Sequence, residues 1–218
     1  MVAPTAGLLR RPHRQGFVSP MVLLQVATAI EEIIGRDALH EALRDAQVHR
    51  LPETDEPVRE EKAARLHASV RRLWPDDADA IGKRAGEGAA QFILDHRVTG
   101  RGRQLLGRMP RSAAAWLLAR RTEQQAWTFA GSGRFEIEAS ARFAIHDNPL
   151  IRGERANRPV CCYHSGLFER QFRVLVHPET TCVEIACGAM GDEACIFSLT
   201  VPEGEAAQPG RRPLTSTS

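Results

Sequence analysis

The spacing of apolar residues divides the chain into a helical amino-terminal part and a carboxy-terminal part that contains strands. Between residues 19 and 126 the apolar positions recur every three or four residues, which is typical of helices with one buried face. The predicted helices cover 19–35, 37–47, 63–75, 77–95 and 112–126. A flexible break at 99–103 and a short helix ending near Pro110 are predicted between the last two.

After residue 126 the pattern changes to alternating apolar and polar positions. The alternation around Phe135–Ile137 and Phe143–Ile145 predicts two antiparallel strands joined to the preceding segment by a Gly-Ser-Gly turn, the first beginning near Trp127. A helix over 160–176 and two further strands over 181–186 and 195–201 follow. We therefore predict an α+β fold, in which amino-terminal helices pack with a four-stranded antiparallel sheet in the order strand–strand–helix–strand–strand.

These elements predict one compact domain made of a helical part, 19–126, and an α+β part, 127–202. Residues 1–18 are polar and rich in Pro and Gly, and they are expected to form a flexible amino-terminal segment. Residues 203–218 are rich in Pro, Gly, Ser and Thr, which predicts a disordered tail.

Composition adds mainly exclusions. The 218-residue chain has a formal net charge of +2, which is too small to predict binding to nucleic acid by bulk electrostatics. No stretch approaches the roughly 20 consecutive apolar residues of a membrane-spanning helix. The first 16 residues lack the apolar core of a secretion signal, so we expect a cytoplasmic protein.

The cysteines are the most specific chemical signal, because all five lie between residues 161 and 195. An odd number in a cytoplasmic chain fits metal binding or burial better than a disulfide framework. The predicted elements allow four side chains to meet at one point: Cys161, Glu184, Cys187 and Cys195. Three thiolates and a carboxylate complete a tetrahedral structural zinc site, although ordinary buried thiols explain the residues equally well at this point.

The order of these four residues also resembles a known pattern. Glu184 follows Cys161 by 23 residues, Cys187 follows 3 later and Cys195 follows 8 later, as in the zinc site of vinyl-4-reductase domains. The stretch CGAMGDEACIF is similar to the Cys-x-x-x-Gly-x-x-x-Cys-x-Phe ending of that domain. The resemblance implies that these four residues bind zinc and gives no role to Cys162 or Cys182.

Several separated motifs narrow the resemblance further. The segments AWTFAGSGRF, NPL, PVCCYHSGLFERQFRVLV, SPMVLLQVATAIEE and AGEGAAQFILDHR resemble the bacteriochlorophyll 4-vinyl reductase (BchJ) family over about residues 17–201. The family name implies reduction of a vinyl group on a chlorophyll precursor (8-vinyl in newer numbering). The sequence has no GxGxxG following a strand, no P-loop and no iron–sulfur motif, so whether the chain is an enzyme stays open.

We therefore expect an accessory protein of bacteriochlorophyll biosynthesis that binds a magnesium porphyrin or chlorophyllide intermediate and holds or delivers it. By the resemblance, its partners are pathway enzymes such as magnesium chelatase or the methyltransferase that follows it, and a homodimer through the amino-terminal helices is expected. Two alternatives stay open: a vinyl reductase, as the family name states, and a zinc-stapled protein-interaction module.

Candidate residues for a tetrapyrrole follow from what its ring requires. Trp127, Phe129 and Phe135 are suited to stacking on the macrocycle, although aromatic residues at such spacing also form cores. Gly86, between Gly82 and Gly88, admits either a flat ring or a tightly packed helix. The remaining candidates are Arg134, Arg142 or Arg97 for a propionate and His146 or His164 as an axial ligand. The expected site lies between helix 77–95 and the segment 112–127.

Overall fold

A computed structural model describes residues 16–202. In this part of the chain the helices are α1 (Met21–Ile33), α2 (Arg36–Asp45), α3 (Glu60–Leu73), α4 (Ala78–Arg97), α5 (Gly100–Leu106), α6 (Arg111–Gln124), α7 (Trp127–Ala130) and α8 (Cys162–Leu175). The strands are β1 (Phe17–Val18), β2 (Val58–Arg59), β3 (Arg134–Ala139), β4 (Arg142–His146), β5 (Thr181–Ala186) and β6 (Ala194–Thr200). None of the described helices is both long and apolar enough to cross a membrane.

The predicted α+β class and the four-stranded antiparallel sheet are confirmed. The strands lie in the order β3-β4-β6-β5, with α8 connecting β4 to β5. Alternate residues of the strands face α8, because successive side chains of a strand point to opposite faces of the sheet. The resulting core is largely aromatic and includes Phe135, Phe143, Phe168, Phe172 and Phe197.

Helix α8 lies between the sheet and α4, and α1 packs against the other side of α4. Two glycines make the α4–α8 contact this close. A Cβ atom added to Gly86 would lie 2.0 Å from the carbonyl oxygen of Tyr163, and one added to Gly166 would lie 2.3 Å from that of Lys83. Gly86 therefore serves helix packing and does not face a ligand slot, which corrects one of the two roles left open for it.

Two local predictions are wrong. Residues 99–103 are predicted to form a flexible break, whereas Gly100 begins helix α5, because the Thr99 hydroxyl accepts a hydrogen bond from the Gly102 N–H at 3.2 Å and caps the helix. Trp127 is predicted to lie in a strand but begins the helical turn α7. The chain reverses after this turn at Gly131, whose φ of 54° favours glycine.

The two ends of the chain are predicted to be a flexible segment, 1–18, and a disordered tail, 203–218. Residues 1–15 and 203–218 lie outside the described residues. Phe17 and Val18 form strand β1, which pairs with β2 in a two-stranded antiparallel sheet, and Val18 is fully buried. This pairing joins positions 40 residues apart through two-residue strands, which are too short to produce a recognisable alternation.

Candidate metal centre and apolar pocket

Four buried side chains from three elements meet at one end of α8. Cys161 immediately precedes α8, Glu184 lies on β5, Cys187 follows β5 and Cys195 lies near the start of β6. One possible ligand atom from each of them lies within 4.8 Å of the others. The structure therefore brings together all four residues that the sequence predicted as metal ligands.

The distances between the sulfur atoms suit a shared metal ion. The Cys161 Sγ lies 3.5 Å from the Cys195 Sγ and 3.9 Å from the Cys187 Sγ. A tetrahedral zinc site with Zn–S bonds of about 2.3 Å has sulfur atoms about 3.8 Å apart. One carboxylate oxygen of Glu184 accepts a hydrogen bond from the Cys161 N–H at 2.7 Å, and its Oε1 is buried without a hydrogen-bond partner among the described residues. The donor set of three sulfurs and one free oxygen fits zinc.

Neighbouring groups hold the thiols in place and were missed by the sequence analysis. The Asn148 side-chain amide donates to the Cys161 Sγ at 3.5 Å and to the Cys195 Sγ at 3.6 Å. The Gly188 N–H also reaches the Cys195 Sγ at 3.5 Å. Such N–H···S contacts are a common supporting shell of thiolate metal sites. Asn148 belongs to the NPL segment quoted above, which shows a family resemblance but gives no indication of this contact.

The electrostatics of the cluster favour a cation. Burial, together with the negative charge of Cys187, raises the pKa of the Glu184 carboxyl to about 8. Hydrogen bonds to the sulfurs of Cys187 and Cys195, followed by burial, raise the pKa of the Cys161 thiol well above its usual range. The hydrogen bond from Cys161 is the main cause that lowers the pKa of Cys187. The first negative charge of the cluster is therefore held on Cys187, and a cation would allow the other ligands to ionise.

A separate, mainly apolar pocket lies between α1, α4, α7 and α8, with a cavity volume of about 40 Å³. Its lining residues come from the ends and turns of these elements: Ser19, Met21, Ala89, Phe92, Ile93, Arg97, Gln125, Thr128, Phe129, Tyr163 and Leu167. Arg97 is exposed and donates to the Gln125 side chain at 3.0 Å. The pocket therefore combines apolar walls with one cationic group close to solvent.

The aromatic residues predicted to contact a tetrapyrrole take different positions. Phe129 lines the pocket, and its ring also contacts Phe135 and Phe168 edge-on with centroids 5.4 Å apart in each pair. Phe135 belongs to the buried core between α8 and the sheet and does not line the pocket, so the prediction that it forms a ligand wall is wrong. Trp127 is half-buried at the start of α7 and is not among the lining residues either.

The predicted polar contacts are also separated by the structure. Arg134 pairs with Glu136, and Arg142 pairs with Glu138 at 2.6 Å, so both arginines belong to ion pairs on the sheet. The His146 Nε2 lies 3.1 Å from a Glu136 carboxylate oxygen on the same sheet. Among the arginines considered, Arg97 is the one that lines the pocket. The prediction that Arg134 and His146 share a site with the aromatic residues is therefore wrong, because they lie on strands that do not border the pocket.

His164 is part of the protein interior. Its Nε2 lies 3.3 Å from the Phe129 carbonyl oxygen, its Nδ1 is buried without a hydrogen-bond partner among the described residues, and its ring contacts Phe197. Burial lowers the pKa of His164 to about 4. The ring does not line the pocket, so the prediction of an axial ligand at this position is not supported by its location.

The comparisons with known proteins agree with the carboxy-terminal site. Residues 141–201 match the vinyl-4-reductase domain, and this range contains all four residues of the cysteine–glutamate cluster. Among solved structures, an H-NOX protein from S. oneidensis in the Fe(II)NO ligation state has a TM-score of 0.52 at 10% identity, covering 85% of this chain and 100% of that chain. A mutant H-NOX protein from K. algicida in the Fe(II) unliganded form has a TM-score of 0.53 at 10% identity, covering 85% and 97%. These likenesses concern the fold alone.

Two curated relatives match over most of their length. The bacteriochlorophyll synthase 23 kDa chain of Cereibacter sphaeroides is 34% identical over 194 residues, which are 88% of this chain and 92% of the relative. The protein of the same name from Rhodobacter capsulatus is 33% identical over 190 residues, which are 86% of this chain and 88% of the relative. The chain therefore belongs to the family of the bacteriochlorophyll synthase 23 kDa chain, the BchJ family, and its carboxy-terminal part is a vinyl-4-reductase domain.

Proposed function

We propose that this protein takes part in bacteriochlorophyll biosynthesis by binding a magnesium porphyrin or chlorophyllide intermediate and holding or delivering it to pathway enzymes. The relatives are named as chains of a bacteriochlorophyll synthase, which supports the pathway. The observation that carries the binding proposal is the apolar pocket between α1, α4, α7 and α8, with Arg97 beside its opening. Apolar walls with one charged group suit a flat apolar ring that bears carboxylates.

The proposal requires the pocket to widen. Its volume of about 40 Å³ is far below the roughly 300–1,000 Å³ of sites for drug-sized ligands. The carboxy-terminal third of α4 is the segment best suited to move, because Phe92 and Ile93 are only partly buried. Earlier in the same helix, Gly86 sits against the backbone of α8. We propose that residues 91–97 swing away from α7 while the amino-terminal half of α4 stays on α8.

The cysteine–glutamate cluster is proposed to hold one structural zinc ion. The ligands would be Cys161, Glu184, Cys187 and Cys195, supported by the sulfur–sulfur distances and by the unpartnered Glu184 Oε1. A bound zinc ion would join the start of α8 to β5 and β6. Because four protein ligands leave no open coordination position, the ion would contribute to folding and would not activate water.

Metal analysis of the purified protein tests this proposal. We expect one zinc per chain in protein prepared without chelator, and loss of zinc in a Cys187→Ser variant. Cys182→Ser is the matched control, because Cys182 is also a buried thiol but is not one of the four clustered residues. Zinc-free wild-type protein, or equal loss of zinc in both variants, would contradict the assignment.

Titration with a divinyl magnesium porphyrin, followed by its absorbance, tests the binding proposal. We expect saturation at one ligand per chain and about tenfold weaker binding for Arg97→Gln, because a charge-assisted hydrogen bond to a carboxylate contributes about 1.5–3 kcal/mol less losses to solvent. Arg134→Gln is the matched control, since Arg134 pairs with Glu136 on the sheet. Equal weakening by both changes would place the ligand elsewhere.

The outcome of the same titration separates the alternatives. Saturable binding without conversion of the vinyl group supports a carrier. Conversion to the monovinyl product on addition of a reductant would support the vinyl reductase named by the family. Failure to bind any divinyl or monovinyl magnesium porphyrin, in protein that retains its zinc, would favour an interaction module.

A further inference from the structure

Positive charge is concentrated in one segment of the chain, residues 96–122. This segment contains seven arginines and no acidic residue, although the whole chain has a net charge of only +2. The remaining residues therefore carry a net charge of −5. The segment covers the end of α4, helix α5, the turn at 107–110 and most of α6. The low overall charge conceals this local excess.

Many of these charges face solvent without a compensating carboxylate. Arg103 lies 3.3 Å from Asp95 and Arg120 lies 3.0 Å from Glu123. Arg101, Arg108 and Arg121 are exposed, and the described residues provide no acidic partner for them. Three guanidinium groups are thus available to an external anion.

Large apolar side chains are exposed in the same segment. Leu105 on α5 and Trp116 on α6 have 59% and 55% of their surfaces exposed. The Arg120 guanidinium carbon lies 5.8 Å from the centroid of the Trp116 ring. Helix α5 buries none of its residues, whereas α6 is anchored to the protein by an inner face that includes Ala115 and Leu118. The hairpin is therefore held in place while its outer side chains remain free.

We propose that this α5–α6 hairpin binds the surface of an anionic lipid bilayer. Arginine beside exposed tryptophan and leucine is typical of segments that lie at the membrane interface, where the apolar side chains enter the headgroup region. Arg101 and Arg108 make no side-chain contact within the described residues, so their charges lack a fixed geometry. A diffuse layer of anionic headgroups accepts such charges more readily than the ordered carboxylates of a protein partner. This inference is independent of the proposed tetrapyrrole pocket.

Cosedimentation of the full chain with lipid vesicles tests the proposal. We expect binding to vesicles of phosphatidylcholine with 30 mol% phosphatidylglycerol (about a third of the lipid anionic), weak binding to pure phosphatidylcholine, and release on raising the salt concentration. Each arginine near an anionic surface contributes about fivefold in affinity. The variant Arg101→Gln/Arg108→Gln/Arg121→Gln is therefore expected to bind about 100-fold more weakly. The matched control is Arg44→Gln/Arg50→Gln/Arg155→Gln, which removes three exposed arginines outside the segment.

A second measurement reports on the apolar side chains. In a Trp74→Phe/Trp127→Phe background, Trp116 is the remaining tryptophan, and its emission is expected to shift to shorter wavelength on binding anionic vesicles. Absence of binding to the anionic vesicles would overturn the proposal, as would equal loss of binding in the two triple variants. A wild-type dimer that the segment variant alone dissociates would assign the surface to a second copy of the chain, and would also overturn the proposal.

Discussion

Replacing Gly86 by alanine is expected to destabilise the protein, although alanine is the better helix former. A Cβ atom at this position would lie 2.0 Å from the Tyr163 carbonyl oxygen and 2.7 Å from the Leu167 nitrogen, whereas ordinary contacts begin near 3.4 Å. Both neighbours are backbone atoms of α8, so the two helices would have to separate by about 1 Å or more. The gain in helix propensity is about 1 kcal/mol, and overpacking that displaces backbone costs about 3 kcal/mol.

The net expectation for Gly86→Ala is a loss of about 2 kcal/mol in unfolding free energy, or a fall of about 4–8 °C in Tm for a domain of this size. Gly88→Ala is the matched control on the same helix, because its Cβ would meet the side chain of Gln25, which can move aside. Urea unfolding of the two variants, both loaded with metal, provides the comparison. A Gly86→Ala protein as stable as Gly88→Ala would refute the description of the α4–α8 contact.

Three further predictions concern charge and catalysis. Burial lowers the pKa of His67 to about 3, below its unfolded value of 6.5, so stability is present above pH 6.5 and is lost as the pH falls toward 3. The loss reaches about 2 kcal/mol at pH 5, and His67→Gln, compared with wild type by urea unfolding at pH 8 and pH 5, should lack this part of the pH dependence. Glu169→Gln should cost about 2 kcal/mol in unfolding free energy, because the buried carboxylate accepts from the Cys182 N–H at 2.9 Å and pairs with half-exposed Lys83 at 3.1 Å; an unchanged urea midpoint would show that this contact contributes nothing. The chain alone, given a divinyl precursor with NADPH, NADH or dithionite, should produce no monovinyl product, and repeated turnover would restore the reductase interpretation.

The sequence predicted the metal cluster well, because each of its parts is local or tied to a motif. The alternation of strands 181–186 and 195–201 positions Glu184 and Cys195, and the helical pattern after Cys161 positions that thiol. The family resemblance then selected these four residues and excluded Cys182, which lies on β5 and is not one of the clustered residues. Nothing in the pattern predicts the amide of Asn148, whose side chain reaches the sulfurs from the loop after β4.

The pocket was harder to predict because it is formed by four elements that are distant in sequence. Phe129 and Phe135 have the same residue type and lie six positions apart, yet one lines the pocket and the other is confined to the core. The difference arises because residue 129 lies in a helical turn, where a strand was expected. Gly86 was open to two interpretations, and the choice between them required the distance to the backbone of α8.

Hydrogen–deuterium exchange, measured with and without a divinyl magnesium porphyrin, tests the central claim of ligand binding most directly. We predict slower exchange on binding in peptides covering 89–97 and 125–130, which border the pocket. Peptides covering 134–146, on strands β3 and β4, should exchange at the same rate in both samples. Unchanged exchange in the pocket peptides at saturating porphyrin, or protection confined to 134–146, would contradict the proposed binding site.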